Sequence, residues 1–454
     1  MLESADKKNN AVEEDKSVKA DKKDKSVKKT KKVQKYNRLR HKFWFCIGRP
    51  LVYLFLKIFA NFKRKKADLK KGQPYLILGN HTNELDPLMV ICSVPGVVHA
   101  LASDHLFKHA IFDKFVRYIA EPIPIVRAQM DLASIKEALQ AKKDGGSILI
   151  FPEANCCFNA KTSHISHATA KLIRQFKIPV AIFNTKGGYL THPRWANSWR
   201  RGKTTCELVK VIEADELAKM SVDEIYDAIG EALDFNDMEY QREQMVYYHG
   251  HDLLDGVERA LYHCPKCYRL NTLKSDGDYI GCTECGYRVK MNHYGFFEGD
   301  GVIFDSIDKW DDWQRERAVE LVTDGHYDKS GKTPILISRA DKLIKSKRAH
   351  PNRIMAEGTF ALYCDRIEFV GDKAYERNAE GELECVGPKT YVWKFSEISK
   401  MSCISKNKLQ IAVGEKEYYE IHSNHTYRSA YAYMVYFYCL KRYAQGKPLD
   451  YFGM

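Results

Sequence analysis

Between residues 75 and 233 the apolar and polar positions fall into two alternating rhythms. Short apolar runs at 75–78, 97–102, 123–126, 147–151, 180–184 and 206–212 read as buried strands. Helical spacing at 88–93, 110–119, 131–143, 163–176 and 222–233 fills the intervals. Asp131 suits an N-cap, and Gly145-Gly146 ends that helix before the next strand. Such alternation predicts an α/β fold, a largely parallel sheet covered by helices, with sites gathered past the carboxyl ends of strands. The rhythm then changes. Residues 309–323 read as an amphipathic helix around Trp310 and Trp313, and 324–332 as a polar joint. From Thr333 the texture becomes β, with short strands at 353–363, 366–370, 390–394, 398–404, 408–413 and 417–422, then an aromatic-rich helix at 426–443.

Ahead of the sheet, residues 43–62 are dense in aromatic and aliphatic side chains. The run approaches the roughly 20 apolar residues of a bilayer span. Arg49, Pro50 and Lys57 interrupt it, and a charge at the bilayer centre costs at least about 2.5 kcal/mol. A membrane-interfacial helical segment over 37–72, lying in the interface or inserted as a shallow hairpin, is expected instead. Cations within 38–42 and 63–66 would face an anionic membrane surface at roughly 1 kcal/mol each. The competing reading is a buried packing helix beside a basic run. Net charge adds to this picture: the formal +13 is concentrated in 16–42 and 63–71. Residues 1–36 alternate lysine with Asp, Glu, Ser and Val and have no aromatic before Tyr36, so they are expected to be a disordered basic tail. The apolar run starts too far in for a secretory signal and no small-residue cleavage site follows. With 454 residues, 44% of them hydrophobic, there is room for two or three domains.

One turn carries chemistry. In Y-L-I-L-G-N-H-T-N-E-L-D-P-L-M-V, residues 75–90, an apolar run ends at Gly79 and delivers His81 to a polar turn, with Asp86 five residues on and Pro87 opening a helix. A carboxylate on one ring nitrogen fixes the tautomer, so the other nitrogen can take a proton from a hydroxyl. Taken alone, the pair would equally suit a helix cap. Three further stretches change the reading: E-P-I-P-I-V-R ending at Arg127, S-I-L-I-F-P-E-A-N over 147–155, and K-I-P-V-A over 177–181. His81, Arg127 and Glu153 each fall just past an expected strand.

In order and spacing these four blocks resemble the glycerolipid acyltransferase family that includes 1-acyl-glycerol-3-phosphate acyltransferase, over roughly residues 45–235. The resemblance implies a glycerolphosphate-acyltransferase-like domain over 73–240. It implies transfer of a fatty acyl group from acyl-CoA or acyl-carrier protein to lysophosphatidic acid or a similar lysophospholipid, at the cytoplasmic face of a membrane, by a monotopic or peripheral protein. In that scheme His81 is the general base, Asp86 orients it and Arg127 holds the acceptor phosphate. Glu153, Asn80 and Pro152 complete the substrate-binding set. Two departures stand out: Ala154 replaces the third block's glycine, and Cys156 stands where that block has an arginine. Lys161, Lys171 or Arg174 could replace the lost cation, and a different lysolipid or a glycolipid acceptor stays open. Direct transfer needs no acyl-enzyme, but Cys156 or Cys157 near a histidine offers a covalent alternative. His164 and His167 read as polar helix surface.

The sharpest local signal lies further on. Cys264-Pro-Lys-Cys267 and Cys282-Thr-Glu-Cys285, separated by fourteen residues, have the spacing of a four-cysteine zinc ribbon, expected over 258–295. Asp276-Gly277 would turn the hairpin between the knuckles. Four thiolates leave no open coordination position, so the Zn2+ would be structural. Disulfides are the alternative, but nothing marks the chain as exported. Zinc ribbons also occur in nucleic-acid proteins, yet Asp276, Asp278 and Glu284 keep this one from being a basic patch, and nucleic acid is not an expected partner. The strands and helix over 333–445 resemble a pleckstrin-homology-like or GRAM-like fold, which would serve lipid binding, peptide binding or a purely structural role. A non-catalytic zinc-ribbon adaptor is the alternative from another class, against which intact His81 and Asp86 argue.

Overall fold

The computed structural model describes residues 36, 39–103, 118–125, 132–346, 353–378, 382–414, 417–425 and 428–453. Arg127, the tail before Tyr36 and most of the expected helix at 110–119 lie outside the described residues.

The first sheet has seven strands: β1 (Phe62–Arg64), β2 (Leu76–Gly79), β3 (Val98–Ser103), β4 (Ile123–Ile125), β5 (Ser147–Ile150), β6 (Val180–Lys186) and β7 (Thr204–Ile212). Their order is β1-β7-β6-β2-β5-β3-β4. All neighbours are parallel except β6 and β7. β2 lies between β5 and β6 and is buried along its whole length, which accounts for its unbroken apolar run. Among the described residues, six helices of eight residues or more belong to this region: α1 (Leu39–Phe59), α2 (Asp86–Ser93), α3 (Leu132–Lys143), α4 (His167–Phe176), α5 (Val222–Leu233) and α6 (Asp237–Gln244). Alternate strand residues feed two apolar layers. Leu76, Leu78, Ile148 and Ile150 pack with Ala138, Ile173 and Ile229 of α3, α4 and α5. Ile77, Leu149 and Phe183 pack with Leu56 of α1 and with Met89 and Val90 of α2.

Within the segment 37–72 the chain forms one continuous 21-residue helix, α1, with Pro50 inside it and no hairpin turn between Leu39 and Phe59. Packing outweighs the proline: Phe45 before it and Leu56 after it are buried in the same layer, and Arg49 donates to the Gly96 carbonyl at 2.5 Å. Among the described residues no helix is long and apolar enough to cross a membrane.

The cysteine knuckles frame a four-stranded antiparallel sheet of β8 (Leu273–Asp276), β9 (Tyr279–Cys282), β10 (Arg288–Met291) and β11 (Phe297–Glu298). The β8–β9 turn carries Gly277 at φ 62°, as the hairpin signal predicts. After α7 (Ile307–Thr323) comes a seven-stranded antiparallel sheet: β12 (Leu336–Ser346), β13 (Arg353–Leu362), β14 (Arg366–Arg377), β15 (Leu383–Lys394), β16 (Ile398–Cys403), β17 (Lys408–Val413) and β18 (Glu417–Ser423). α8 (Ala430–Ala444) closes it, buried on every side from Ala430 to Leu440. β12 was not expected as a strand, and β14 and β15 are far longer than expected. β12 hides Asp341 in the core by pairing it with Arg428 at 2.6 Å, and β15 is an exposed edge strand containing Gly387 and Pro388.

One buried carboxylate joins the first sheet's loops to the later elements. On α7, Asp311 Oδ2 accepts from Asn159 Nδ2 (2.9 Å) and Tyr431 Oη (3.1 Å) and pairs with Arg315 Nε (2.7 Å), while Oδ1 accepts from Gln314 Nε2 (2.6 Å). Asp311→Ala leaves Arg315 without its counter-charge. The expected loss is about 3–5 kcal/mol, read as a lowered urea midpoint.

Candidate active site

His81 is placed by its neighbours on both sides. Asn80, at the end of β2, accepts from the Thr185 N–H (2.7 Å) and donates to the Thr185 carbonyl (3.1 Å), which ties the end of β2 to β6. Asp86, the first residue of α2, is fully buried. Its Oδ2 accepts from the backbone N–H of Thr82 (2.6 Å) and of Asn83 (2.8 Å) and lies 3.1 Å from His81 Nδ1, while Oδ1 accepts from the Thr82 hydroxyl (3.1 Å). A carboxylate in that position takes the proton-bearing nitrogen, so Nδ1 donates, and in the neutral ring Nε2 carries the lone pair. The ring stacks on Phe151 with centroids 4.5 Å apart, and 17% of the side chain is exposed.

The third-block loop supplies the opposite wall. Glu153 Oε1 accepts from the His81 backbone N–H (2.6 Å) and Oε2 from the Ser163 N–H (2.7 Å). Burial pushes its carboxyl up to about 7. The Cys157 N–H donates to the His81 carbonyl at 3.0 Å. Ala154 has φ 64°, the left-handed conformation that glycine takes at no steric cost. Cys156 Sγ stands beside the imidazole, 3.5 Å from Nε2 and 3.6 Å from Nδ1. Burial by itself lowers the pKa of His81, but the Cys156 sulfur and the Asp86 carboxylate outweigh it and raise the imidazole well above its ordinary value.

His81, Asp86, Asn80, Pro152 and Glu153 are thus brought together, with Pro152 buried beside Glu153. Lys161 is engaged by Asp312, and Lys171 and Arg174 are exposed on α4. Another cation, passed over in the sequence, stands at the loop. Arg194 Nη1 donates to the Cys156 carbonyl (3.0 Å), Nη2 donates to the Cys403 carbonyl at the end of β16 (2.5 Å), and the guanidinium lies 4.6 Å from the centroid of the Phe158 ring. Its segment, H-P-R-W at 192–195, has no periodicity or motif to mark it.

At the ribbon, the ligand atoms of Cys264, Cys267, Cys282 and Cys285 lie within 4.8 Å of one another. The Cys264–Cys285 and Cys267–Cys282 sulfurs are 3.6 and 3.7 Å apart. Tetrahedral Zn–S bonds of about 2.3 Å put sulfurs roughly 3.8 Å apart, so the donor set fits zinc. The Glu284 N–H points at Cys282 Sγ from 3.5 Å, a contact that favours a thiolate.

Residues 62–183 match the family model described as Acyltransferase, and residues 257–292 match the model described as DNA directed RNA polymerase, 7 kDa subunit, a zinc ribbon. The chain therefore carries an acyltransferase-family domain and a zinc ribbon. Among solved structures it is similar to the 1-acyl-sn-glycerophosphate (LPA) acyltransferase, PlsC, from Thermotoga maritima, at 15% identity over 45% of this chain and 81% of that one, with a TM-score of 0.38. No curated protein matches the chain.

Two outcomes follow from this geometry. An NMR titration of the His81 ring should have its midpoint above 6.5, the imidazole being protonated below it and neutral above. Cys156→Ala should move that midpoint down. Elemental analysis of the purified protein should find one zinc per chain, and Cys267→Ser or Cys285→Ser should lose the metal and lower the melting temperature.

Proposed function

We propose that this acyltransferase is a monotopic enzyme that moves a fatty acyl group from acyl-CoA or acyl-carrier protein to the free hydroxyl of 1-acyl-glycerol-3-phosphate. The observation that carries the reading is His81, held at Nδ1 by a fully buried Asp86 and partly exposed just past the end of β2, with Cys156 Sγ 3.5 Å from Nε2. Nε2 takes the proton of the acceptor hydroxyl as its oxygen bonds to the acyl carbon, and Asp86 stabilises the imidazolium that results. Arg127, by the resemblance, holds the acceptor phosphate. Asn80 fixes the start of the turn, and Glu153 with Pro152 braces the loop that faces the acceptor. The zinc, held by Cys264, Cys267, Cys282 and Cys285, would keep the ribbon folded and take no part in transfer.

A membrane location is supported by α1. Phe43, Ile47, Leu51, Leu54, Phe55, Ile58 and Phe59 are all exposed and recur at helical spacing along one stripe, while Phe45 and Leu56 pack inward. Lysines at 42, 57, 63 and 66 flank the stripe. Such a helix suits the plane of an anionic lipid surface, on the cytoplasmic face, where a water-insoluble acceptor is found.

Cys156 in the third block favours a second acceptor class, a lysolipid or glycolipid without a terminal phosphate. Purified protein in lipid micelles, offered palmitoyl-CoA and palmitoyl–acyl-carrier protein with a panel of lyso-acceptors, separates the two. Transfer to lysophosphatidic acid is expected, and His81→Ala should lower it by about 10²- to 10⁴-fold. Transfer confined to unphosphorylated acceptors would move the substrate, and none at all from folded protein would leave the adaptor reading. In vesicle flotation, the double variant Leu51→Glu, Phe55→Glu should release the protein from anionic liposomes.

A further inference from the structure

We infer that Cys156 is a second catalytic residue and carries the acyl group as a thioester between donor and acceptor. The inference rests on the acyl-transfer reading above and adds the route by which the acyl group travels.

Nucleophile, base and orienting group stand together. Cys156 Sγ is 3.5 Å from His81 Nε2 and 3.6 Å from Nδ1, within thiol–imidazole reach of the ring, so a small turn of the thiol brings it to Nε2, while His81 Nδ1 is 3.1 Å from Asp86 Oδ2. The backbone around the thiol is held in place. The Ala154 N–H donates to the Phe151 carbonyl (3.0 Å), the Cys157 N–H to the His81 carbonyl (3.0 Å), and Arg194 holds the Cys156 carbonyl (3.0 Å). Those bonds aim one cysteine of the pair at the base and the other at the core. Cys157 is 1% exposed and burial pushes its thiol well up, whereas Cys156 remains partly open beside the ring. The loss of the third-block arginine also makes sense in these terms. Arg194 brings a positive charge to the same loop from another segment, which frees position 156 for a nucleophile.

The steps balance. His81 Nε2 takes the Cys156 thiol proton, and the thiolate attacks the acyl carbon of acyl-CoA. The carbon–sulfur bond to CoA breaks, and CoA leaves with the proton from His81. The acceptor hydroxyl then gives its proton to His81 and attacks the Cys156 thioester, and the cysteine leaves as a thiol on taking that proton back. The net reaction is acyl-CoA plus alcohol giving ester plus CoA, with no oxidant or reductant.

A covalent intermediate makes the first half-reaction reversible without acceptor. Full-length protein in lipid micelles, given palmitoyl-CoA and tritiated CoA and no acceptor, should move label into palmitoyl-CoA. A parallel arm pairs palmitoyl–acyl-carrier protein with labelled carrier. Cys156→Ala and His81→Ala should each lower exchange by more than about 10³-fold. Peptide mass mapping of quenched wild-type protein should find palmitate on Cys156, removable by neutral hydroxylamine. Far-ultraviolet circular dichroism and the more conservative Cys156→Ser guard against misfolding. Absence of exchange in both arms by protein that transfers to an acceptor would overturn the inference, as would unchanged transfer by Cys156→Ala. Those results leave the proposed function standing. Exchange that depends on Cys156, with no transfer to any lysolipid, supports the thioester and overturns the acceptor assignment instead.

Discussion

The carboxylate of Asp86 is the point on which the site's geometry depends. A buried charge is tolerated only when its oxygens are filled, and this one accepts two backbone N–H groups and a hydroxyl and faces an imidazole nitrogen. It also sits in the first turn of α2, where the helix dipole favours negative charge. The five-residue spacing from His81 follows from this. The chain leaves β2, passes through Thr82 and Asn83, and enters α2 just where a side chain can reach back over the turn it closes. Folding the turn and orienting the His81 ring are therefore one event.

Around that turn the site is a junction of distant segments. Glu153 and Cys157 fasten the third-block loop to His81 through its N–H and its carbonyl, and Asn159 ties the same loop to Asp311 on α7. Arg194 links Cys156 to Cys403, more than two hundred residues later in the chain, and Lys406 donates to the Ala196 carbonyl close by. The late β-rich sheet is thus tied, through Cys403 and Lys406, to the segment that holds the Cys156 loop. Trp310 of α7 donates to the His263 carbonyl (3.0 Å), next to the first zinc knuckle, and extends the network into the ribbon. Loosening any of these parts loosens the loop that faces His81.

What the sequence discloses tracks where energy is local. β2 and β5, flanked by strands on both sides, declare themselves by unbroken apolar runs, and the β8–β9 hairpin by Asp276-Gly277. The pairing of His81 with Asp86 is legible because it is made within five residues. The continuity of α1 through Pro50 is less legible, because the proline is a local signal and the packing that overrules it lies on either side. β12 was missed because its buried charge is neutralised by Arg428, eighty-seven residues away. Arg194 is the extreme case: its position beside Cys156 comes from tertiary structure, and no neighbouring residue announces it. Arg127, although prominent in the sequence, lies outside the described residues.

The two departures in the third block bear on one another. Ala154 holds a left-handed backbone that costs an L-residue roughly 1–2 kcal/mol relative to glycine. The cost is met because Glu153 and Cys157 on either side are both bonded to His81, so the loop follows the first block whatever residue sits between them. With the backbone fixed from outside, position 156 is free to change chemistry without moving. The side chain there, Cys156, lies beside the imidazole. An arginine would bring a positive charge to that place, and the cysteine brings a thiol. The shape of the turn is therefore set by Asp86 and Glu153, and the chemistry set beside the imidazole is decided by the side chain at 156.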